Sequence, residues 1–255
     1  MNPIIHTEAL EIGYHDKIVA SGINMSIMPG TLVSVVGANG VGKSTLLRSL
    51  SAIQPALSGN IALNGKALSA YSTAALAREI ALVLTERPPA RNLTVGELVA
   101  LGRQPYTDWI GTMDAQDRAI TASALEMTGI GKLAPRRIGE LSDGQMQKVM
   151  IARALAQDTP VIILDEPSTH LDLMHKLSLF RLLRKLANQG KCIVYSTHDI
   201  ETAITTSDAM VVLSAEKVHF GKPEKLIAHG IFSTLFPTDE IAFDPKSVKF
   251  VFKGL

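Results

Sequence analysis

The sequence has 255 residues, enough for one large hydrophobic core or for one core with a smaller subdomain. Hydrophobic residues make up 46% and charged residues 19% of it, as in globular proteins, and 25 basic against 24 acidic side chains leave a net charge of +1. That balance argues against a protein held on nucleic acid mainly by phosphate contacts. Cys192 is the single cysteine, so no disulfide can form within the chain and a reducing compartment is allowed.

Membrane and export signals are missing from the sequence pattern. An uncharged apolar stretch of about 18 residues, the length that a spanning helix needs, does not occur. The first residues, MNPIIHTEALEIGYHDK, carry acids where a signal peptide would be apolar. We therefore expect neither a transmembrane span nor export through an obvious signal peptide.

Short apolar runs predict the strands. Ile23, Met25 and Ile27 alternate with polar residues, as in a half-buried strand, and TLVSVVG at 31–37 predicts a buried one. Asn64-Gly65 is typical of a hairpin turn after the run IAL. Further strands are predicted at IALVL, VIIL, CIVYS and AMVVL.

Helical patterns dominate from Pro88 to Gln157, which indicates a helical insertion between two parts of an α/β core. Residues 172–188 predict another amphipathic helix. After Phe220, KPEKLIAHG and IFSTLF predict short helices and VKFVF a last strand. We interpret this tail as a structural appendage, because nothing in it carries chemistry.

Residues 37–45 read GANGVGKST, a full G-x-x-x-x-G-K-S loop between a predicted strand and the helical run TLLRSL. This is the setting that a phosphate-binding loop requires, and it disfavours a chance glycine-rich turn. The glycines let successive amides face the phosphates. Lys43 reaches the outer phosphates, and the Ser44 hydroxyl can ligate Mg²⁺.

VIILDE, at 161–166, is an apolar strand that ends in two carboxylates. Asp165 can hold Mg²⁺, usually through water, and Glu166 could polarise the attacking water. Alone, such a strand end is more often the start of a solvated loop. The phosphate loop at 37–45 favours the catalytic interpretation.

Two single residues have two possible roles each. His198 follows the predicted strand CIVYS; alone it would be a structural histidine, but beside a γ-phosphate it could distinguish ATP from ADP. Tyr14 precedes the strand near Ile23 and could stack on the adenine or belong to the core. Both alternatives for Tyr14 stay open at this point.

LSDGQMQKVMI, at 141–151, predicts a second helix start that could receive an anion. Ser142 and Gln145 stand in the S-x-x-Q relation of a capping box, and Gly144 would allow close approach to the amides. Alone, the motif is more often an ordinary capped core helix. The loop at 37–45 is already followed by a helix of its own. We therefore expect the second helix start to bind a nucleotide that is held by the phosphate loop of another molecule. That implies a head-to-tail dimer.

Together these motifs resemble the nucleotide-binding subunit of ATP-binding-cassette (ABC) transporters. GANGVGKST, LSDGQ, VIILDEP, STHLD and STHD follow in that order, and the likeness covers residues 4 to about 220. It implies an α/β fold: a P-loop NTPase (RecA-like) core with an antiparallel β entry subdomain and an inserted α-helical subdomain. The expected division is 1–85, the first part of the ATPase core with the P-loop; 86–157, the helical subdomain with the signature motif; 158–220, the second part of the core; and 221–255, the C-terminal appendage.

The resemblance also implies a sandwich homodimer with two ATP molecules at its interface. Each ATP would lie between the phosphate loop of one chain and the signature helix of the other. Glu166 would be the general base, His198 the γ-phosphate contact and Asp172, in STHLD, a strut across the dimer. The implied nucleotide-binding residues are Tyr14, Gly37, Asn39, Gly40, Gly42, Lys43, Ser44, Thr45, Ser142, Gly144, Gln145 and Asp172, with Ser44, Asp165 and Thr85 at Mg²⁺.

Two positions depart from the family pattern. Asp143 replaces the first glycine of the usual LSGGQ, and we expect its carboxylate to point away from the phosphates. The glutamine that normally follows the strand IALV is replaced by Thr85, whose hydroxyl can still ligate or orient water with a shorter reach. Glu86 is the alternative if the strand end shifts by one residue. We expect a working site with low basal turnover.

VGELVALGRQPYTDW, at 95–109, resembles the ATPase subunits that power bacterial importers of iron chelates, haem and cobalamin. The stretch from Arg103 to Tyr106 would then lie near the surface that receives the permease's cytoplasmic helix. The alternative is that this stretch only ends the helix, with Gly102 and Pro105 as the helix-ending residues.

This resemblance predicts an ATPase held on the cytoplasmic face of the membrane by integral permease subunits. An extracytoplasmic substrate-binding protein would be an indirect partner, and no nucleic acid is expected. The alternatives are an export ATPase, a soluble ABC ATPase of translation or DNA maintenance, and a regulatory nucleotide-binding module that switches without turnover.

Overall fold

The structure, a computed structural model, describes residues 2–15, 17–84, 92–109, 111–169, 171–214, 217–235 and 240–252. The contacts between Cα atoms divide the chain into two units, Met1–Ala70 with Cys192–Leu255, and Tyr71–Lys191. Within the described ranges, no helix combines the length and the apolar character needed to cross a bilayer. The domain bounds at 85, 157 and 220 stay a prediction.

Strands and helices follow one another along the described part of the chain. The strands are β1 (Ile5–Tyr14), β2 (Lys17–Ile27), β3 (Leu32–Gly37), β4 (Ser58–Leu63), β5 (Lys66–Ala67), β6 (Ile80–Val83), β7 (Val161–Leu164), β8 (Cys192–Ser196), β9 (Ala209–Leu213), β10 (Val218–Gly221), β11 (Ile241–Asp244) and β12 (Lys249–Phe252). The α-helices are α1 (Lys43–Leu50), α2 (Thr73–Leu76), α3 (Val95–Ala100), α4 (Ala115–Met127), α5 (Asp143–Ala156), α6 (Leu173–Asn188), α7 (Ile200–Thr206) and α8 (Pro223–Ala228). Short 3₁₀ turns lie at Leu68–Ala70, Leu101–Tyr106, Gly131–Leu133, Ile138–Glu140 and Ile231–Thr234.

The first unit opens with an antiparallel sheet in the order β2-β1-β4-β5. Ile23, Met25 and Ile27 are buried on β2, as their alternation predicted. The predicted turn at Asn64-Gly65 joins β4 to β5, and both residues have positive φ, as a type I′ hairpin turn requires. The antiparallel entry subdomain is therefore present.

A second sheet of the first unit has the strand order β10-β9-β3-β8. β3 pairs in parallel with β8 and β9, while β10 is antiparallel to β9. Every residue of β3 and β8 is buried, which is typical of parallel strands covered on both faces. Burial raises the pKa of the Cys192 thiol to about 12, so this cysteine is a core residue and not a reactive one.

The tail closes the first unit with α8, a 3₁₀ turn and the antiparallel hairpin β11–β12. Its predicted short helices and last strand are confirmed. Phe243 and Phe232 are buried in one apolar cluster with residues of α7 and β9. The tail thus adds a packed layer to this unit.

The second unit pairs β6 with β7 in parallel and packs α3, α4 and α5 against one another. Each of these three helices starts at a capping box, formed by Thr94 with Glu97, Asp114 with Asp117, and Ser142 with Gln145. Such reciprocal bonds satisfy amides that lack a partner within the helix. The predicted helical character of this stretch is confirmed.

The GRQPY stretch is part of the packing of the second unit. A Cβ on Gly102 would lie 2.3 Å from the carbonyl oxygen of Arg153, so only glycine allows this approach. Arg103 is 5% exposed; its Nε donates to Asp117 Oδ1 at 2.8 Å and its Nη1 to the Ala156 carbonyl at 2.9 Å. Its guanidinium lies 4.0 Å from the centroid of the Tyr106 ring.

Arg103 itself is a packing residue, because its buried side chain ties the 3₁₀ turn to α4 and α5. Gln104 is exposed and Tyr106 is half-buried, so the position of the stretch from Arg103 to Tyr106 near a permease surface stays a prediction. The plain helix stop is incomplete, because the glycine at 102 is needed for a close backbone contact. The hydrogen bond from Arg103 holds the pKa of Asp117 below its usual range.

Arg103→Ala is expected to lower the free energy of unfolding by about 3–5 kcal/mol, because it removes one partner of a buried ion pair. The matched control is Arg136→Ala, which removes an exposed pair to Glu140 at 3.5 Å and should cost less than about 1 kcal/mol. Equilibrium unfolding in urea measures both values. Equal losses in the two variants would contradict a structural role for Arg103.

Candidate nucleotide-binding site

The phosphate loop joins β3 to α1 in the first unit, and its shape requires glycine at two points. Gly37 has a φ of +152°, and a Cβ there would lie 2.4 Å from the Leu213 carbonyl oxygen. Gly42 has a φ of +111°, and a Cβ there would lie 2.4 Å from Val19 Cγ1. Gly42 is also the N-cap of α1, so no side chain caps this helix. The amides of its first turn are left to bind an anion.

The polar side chains of the loop lie at the start of α1. Lys43 is 7% exposed, and its Nζ donates to the carbonyls of Gly37 at 3.0 Å and Ala38 at 3.1 Å. Ser44 is half-buried beside it, while Asn39 and Gly40 are exposed. The ammonium is therefore held over the loop, where its charge can meet phosphate oxygens.

Tyr14 lies at the end of β1 and contacts the same loop. Its ring is 47% exposed, and its Oη accepts a hydrogen bond from Thr45 Oγ1 at 3.3 Å. The alternative of a core tyrosine is therefore wrong. An exposed aromatic face fixed to the loop is suited to stack on a purine base.

His198 lies in the same unit, two residues beyond the end of β8. Because β8 and β3 are parallel neighbours, their carboxyl ends meet at one edge of the sheet, where the phosphate loop begins. The His198 ring is exposed. Its main chain is fixed, since the Asp199 amide donates to Thr197 Oγ1 at 3.0 Å and the Ile200 amide to the His198 carbonyl at 3.1 Å.

Asp165 and Glu166 follow β7 in the second unit. Asp165 is 4% exposed, so the alternative of a solvated loop start is wrong for this carboxylate. Glu166 has a φ of +49°, unusual for a residue with a Cβ, and its Oε2 accepts from Thr169 Oγ1 at 2.9 Å. Backbone strain of this kind is concentrated at functional sites. A buried carboxylate followed by a strained, half-buried one fits the pair of roles predicted for them.

The signature helix α5 starts as predicted. Ser142 is its N-cap, and its Oγ accepts from the Gln145 amide at 3.3 Å. Gln145 Oε1 accepts from the Ser142 amide at 3.2 Å. Gly144 is half-buried, and Asp143 is exposed in the first turn. The expectation that Asp143 points away from phosphates stays a prediction.

A groove of about 1050 Å³ brings the signature motif together with Asp172 within the second unit. Asp172 caps α6, where its Oδ1 accepts from the His175 amide at 2.8 Å and lies 3.0 Å from His175 Nδ1. The hydrogen bond from the His175 amide, the His175 ring and the charge of Lys148 hold the pKa of Asp172 below its usual range. Lys132 and Lys148 line the groove together with Glu126, Asp143 and Asp172, so the lining carries both charges and an anion would be held by the start of α5.

The sequence interpretation missed the basic residues of this groove, although a signal for Lys148 was present. Lys148 lies three residues after Gln145 on α5, and such a spacing places two side chains on one helix face. Lys132 comes from a separate 3₁₀ turn, and only the fold brings it there. Thr85 and Glu86, the two candidates for the missing glutamine, lie outside the described residues.

Comparison with known proteins assigns the family. The profile of the ABC transporter family matches residues 20–169. The chain belongs to the ABC transporter family.

Several proteins match this ABC protein over nearly their whole length. It is 40% identical over 249 residues to the iron(3+)-hydroxamate import ATP-binding protein of Bacillus subtilis (strain 168), covering 96% of this chain and 92% of the relative. A metal-chelate type ABC transporter solved in an inward-facing conformation is similar with a TM-score of 0.81 and 26% identity, over 98% of this chain and 96% of that one. A dimeric ATP-binding cassette bound to ADP and phosphate after hydrolysis is similar with a TM-score of 0.75 and 27% identity, over 86% of this chain and 98% of that one.

These findings confirm the predicted α/β P-loop fold and the predicted ATPase activity of the ABC type. The family match covers the phosphate loop, the signature motif and the Asp165–Glu166 strand end, which the structure places in two units. ATP binding by this chain follows from the family. The individual roles of the site residues stay predictions.

Tyr14→Ala is expected to weaken ATP binding by roughly tenfold, because stacking of a base on an aromatic ring is worth about 1–3 kcal/mol. Tyr14→Phe keeps the ring and removes only the bond from Thr45, so its dissociation constant should stay within about threefold of the parent value. Calorimetric titration with ATP measures both variants. Equal weakening in the two would show that the hydroxyl, and not the ring, is what ATP binding needs.

Proposed function

We propose that this chain is the ATP-hydrolysing subunit of a bacterial ABC importer for an iron chelate, haem or cobalamin. The observation that carries the proposal is the 40% identity to an iron(3+)-hydroxamate import ATP-binding protein over 96% of this chain, including its tail. Integral permease subunits hold it at the cytoplasmic face of the membrane, and a substrate-binding protein delivers the cargo to them. An export ATPase and a soluble ABC ATPase are the competing functions.

Two copies of the chain bind two ATP molecules between them. Each nucleotide meets the phosphate loop of one copy and the signature groove of the other, with Tyr14 at the base and Lys43 at the outer phosphates. The helix starts of α1 and α5 support this arrangement, because the N-terminal end of a helix favours anions. Asp172 lies in the same groove as the signature residues, which suits a strut across the dimer.

Hydrolysis uses the residues at the strand ends. Glu166 orients and deprotonates the attacking water, and His198 donates a hydrogen bond to the γ-phosphate. Ser44 and Asp165 would hold Mg²⁺, which would supply positive charge against the phosphates. Thr85 orients water with a shorter reach than glutamine, so basal turnover is slow. Loss of one positioning contact costs about 10²–10³ in rate in other enzymes.

The dimer converts ATP binding into movement of the permease. ATP closes the two copies because its phosphates gain a second set of donors from the partner's signature helix. Hydrolysis removes the γ-phosphate that joins them, and the dimer opens again. The difference in binding free energy between ATP and ADP across the interface is the energy available to the permease.

Glu166→Gln is expected to trap an ATP-bound dimer, because the amide cannot accept the proton of the attacking water while the binding contacts remain. Light scattering at saturating Mg·ATP should give twice the mass of the nucleotide-free protein. Lys43→Ala in the same background is the control, and it should stay monomeric because it loses the phosphate contact. A monomeric Glu166→Gln protein that binds ATP with full occupancy would contradict the dimeric site.

Membrane fractionation of a tagged chain in its native host tests the importer itself. We expect the chain in the membrane fraction, with a polytopic permease and a substrate-binding protein identified by mass spectrometry after mild detergent extraction. A permease without any binding protein would favour an exporter. Recovery from the soluble fraction with ribosomes, DNA or no partner would overturn the transport assignment and leave the ATPase chemistry intact.

A further inference from the structure

The C-terminal hairpin β11–β12 packs on the helix that follows His198. Three aromatic rings form its base, with centroids 5.1 Å apart between Phe232 and Phe243 and again 5.1 Å apart between Phe243 and Phe250. The cluster that contains them also holds residues of α7, namely Ile200, Ala203 and Ile204. The hairpin is thus fixed to α7 by buried apolar contact.

One hydrogen bond joins the hairpin to the first turn of α7. The Phe250 amide donates to Glu201 Oε1 at 3.0 Å, across 49 residues of sequence. Glu201 is half-buried, and it lies only three residues after His198. A charged acceptor in a partly buried place strengthens such a bond.

His198 lies on a short connection that is held at both ends. On the β8 side, Thr197 is 1% exposed and its Oγ1 accepts from the Asp199 amide at 3.0 Å. On the α7 side, Asp199 Oδ1 caps the helix by accepting from the Thr202 amide at 3.1 Å. The Phe250 bond adds a polar contact at the first turn of α7 to the apolar contacts of Ile200, Ala203 and Ile204.

The space beside the histidine is bounded by the same hairpin. A cavity of about 310 Å³ is lined by His198 and Glu201 on one side and by Ile241, Phe250 and Phe252 on the other. The hairpin therefore lies next to the imidazole as well as on the helix behind it. A shift of the hairpin would change both the support and the surroundings of the ring.

We propose that Glu201 is a positioning residue for His198, and that the C-terminal hairpin acts on the ATPase site through it. The inference rests on the proposed contact of His198 with the γ-phosphate. The Phe250 bond fixes the first turn of α7, and the fixed turn holds the imidazole where a γ-phosphate can meet it. ADP lacks that phosphate, so the residue acts on ATP recognition and turnover but not on ADP binding.

Four single variants test this positioning role. They are Glu201→Ala, Glu201→Gln, His198→Ala and Glu224→Ala, the last removing an exposed glutamate from the first turn of α8 in the same unit. Affinities for Mg·ATPγS and Mg·ADP are measured by calorimetry, kcat and KM for Mg·ATP by phosphate release, and the melting temperature by differential scanning.

Glu201→Ala is expected to lower the ratio of ATPγS to ADP affinity about fivefold and kcat about tenfold, since part of a charge-assisted contact is lost. The ADP affinity should change less than about twofold, because ADP has no γ-phosphate, whereas KM for Mg·ATP should rise about as much as the ATPγS affinity falls, since turnover is slow. Glu201→Gln should restore parent values, as its amide oxygen accepts the same N–H. Glu224→Ala should match the parent protein throughout.

The outcomes separate this inference from the role of His198. If His198→Ala lowers the affinity ratio while Glu201→Ala leaves it unchanged, the positioning role is wrong and the histidine contact stands. If His198→Ala leaves the ratio unchanged, the proposed γ-phosphate contact fails and this inference fails with it. A fall in melting temperature with equal weakening of both nucleotides would show a merely structural role for Glu201.

A second variant covers the case in which Glu201→Ala does not fold. Phe250→Pro removes the donor N–H and the ring and leaves the carboxylate in place, while Phe250→Ala, its control, removes the ring that packs on Phe243 but keeps the N–H. The proline variant should lower the affinity ratio about fivefold, and the alanine variant should keep the parent ratio. If Phe250→Pro keeps the parent ratio of ATPγS to ADP affinity, the proposal is overturned.

Discussion

The close approach of neighbouring chain segments to the phosphate loop is the constraint on which the site depends. Gly37 and Gly42 each lie against a group that a Cβ could not tolerate, the Leu213 carbonyl and the Val19 side chain. Leu213 ends β9 and pairs with Gly37 in the sheet, so the loop starts at a point fixed by parallel strand pairing. The amides that would bind phosphate are therefore oriented before any ligand arrives, which reduces the entropy cost of binding.

The two helix starts that favour anions differ in a way that suits a dimer that must open. The first turn of α1 has no side-chain cap, so no capping side chain competes with a phosphate there. At the start of α5, the Gln145 amide donates to Ser142 Oγ at 3.3 Å and the Ser142 amide donates to Gln145 Oε1 at 3.2 Å. An anion that took the place of these bonds would gain less at α5 than at α1. If both helix starts bind one nucleotide in a dimer, this difference would let the contact at α5 break first.

Local patterns in the sequence predicted the elements whose signal is local. The buried strands, the capping box at Ser142 and the hairpin turn at Asn64-Gly65 all follow from neighbouring residues. β1 was missed because Ala9, with a φ of +44°, lies where the register shifts, and the alternation of apolar residues changes phase there. The exposure of Tyr14 and the burial of Asp165 depend on distant segments, so the sequence left the role of Tyr14 open and favoured that of Asp165 only through the phosphate loop.

Contacts between distant segments also give Arg103 a role that the motif alone does not show. The motif resembles one group of importers, and that resemblance predicts that the stretch from Arg103 to Tyr106 lies near the permease surface. In the structure, the guanidinium of Arg103 donates to Asp117 and to the Ala156 carbonyl, so this residue of the motif serves the packing of the helical unit. A packing motif of this kind can be shared by proteins with different cargo. The motif therefore reports how the helical unit packs, and it does not specify the compound that an importer carries.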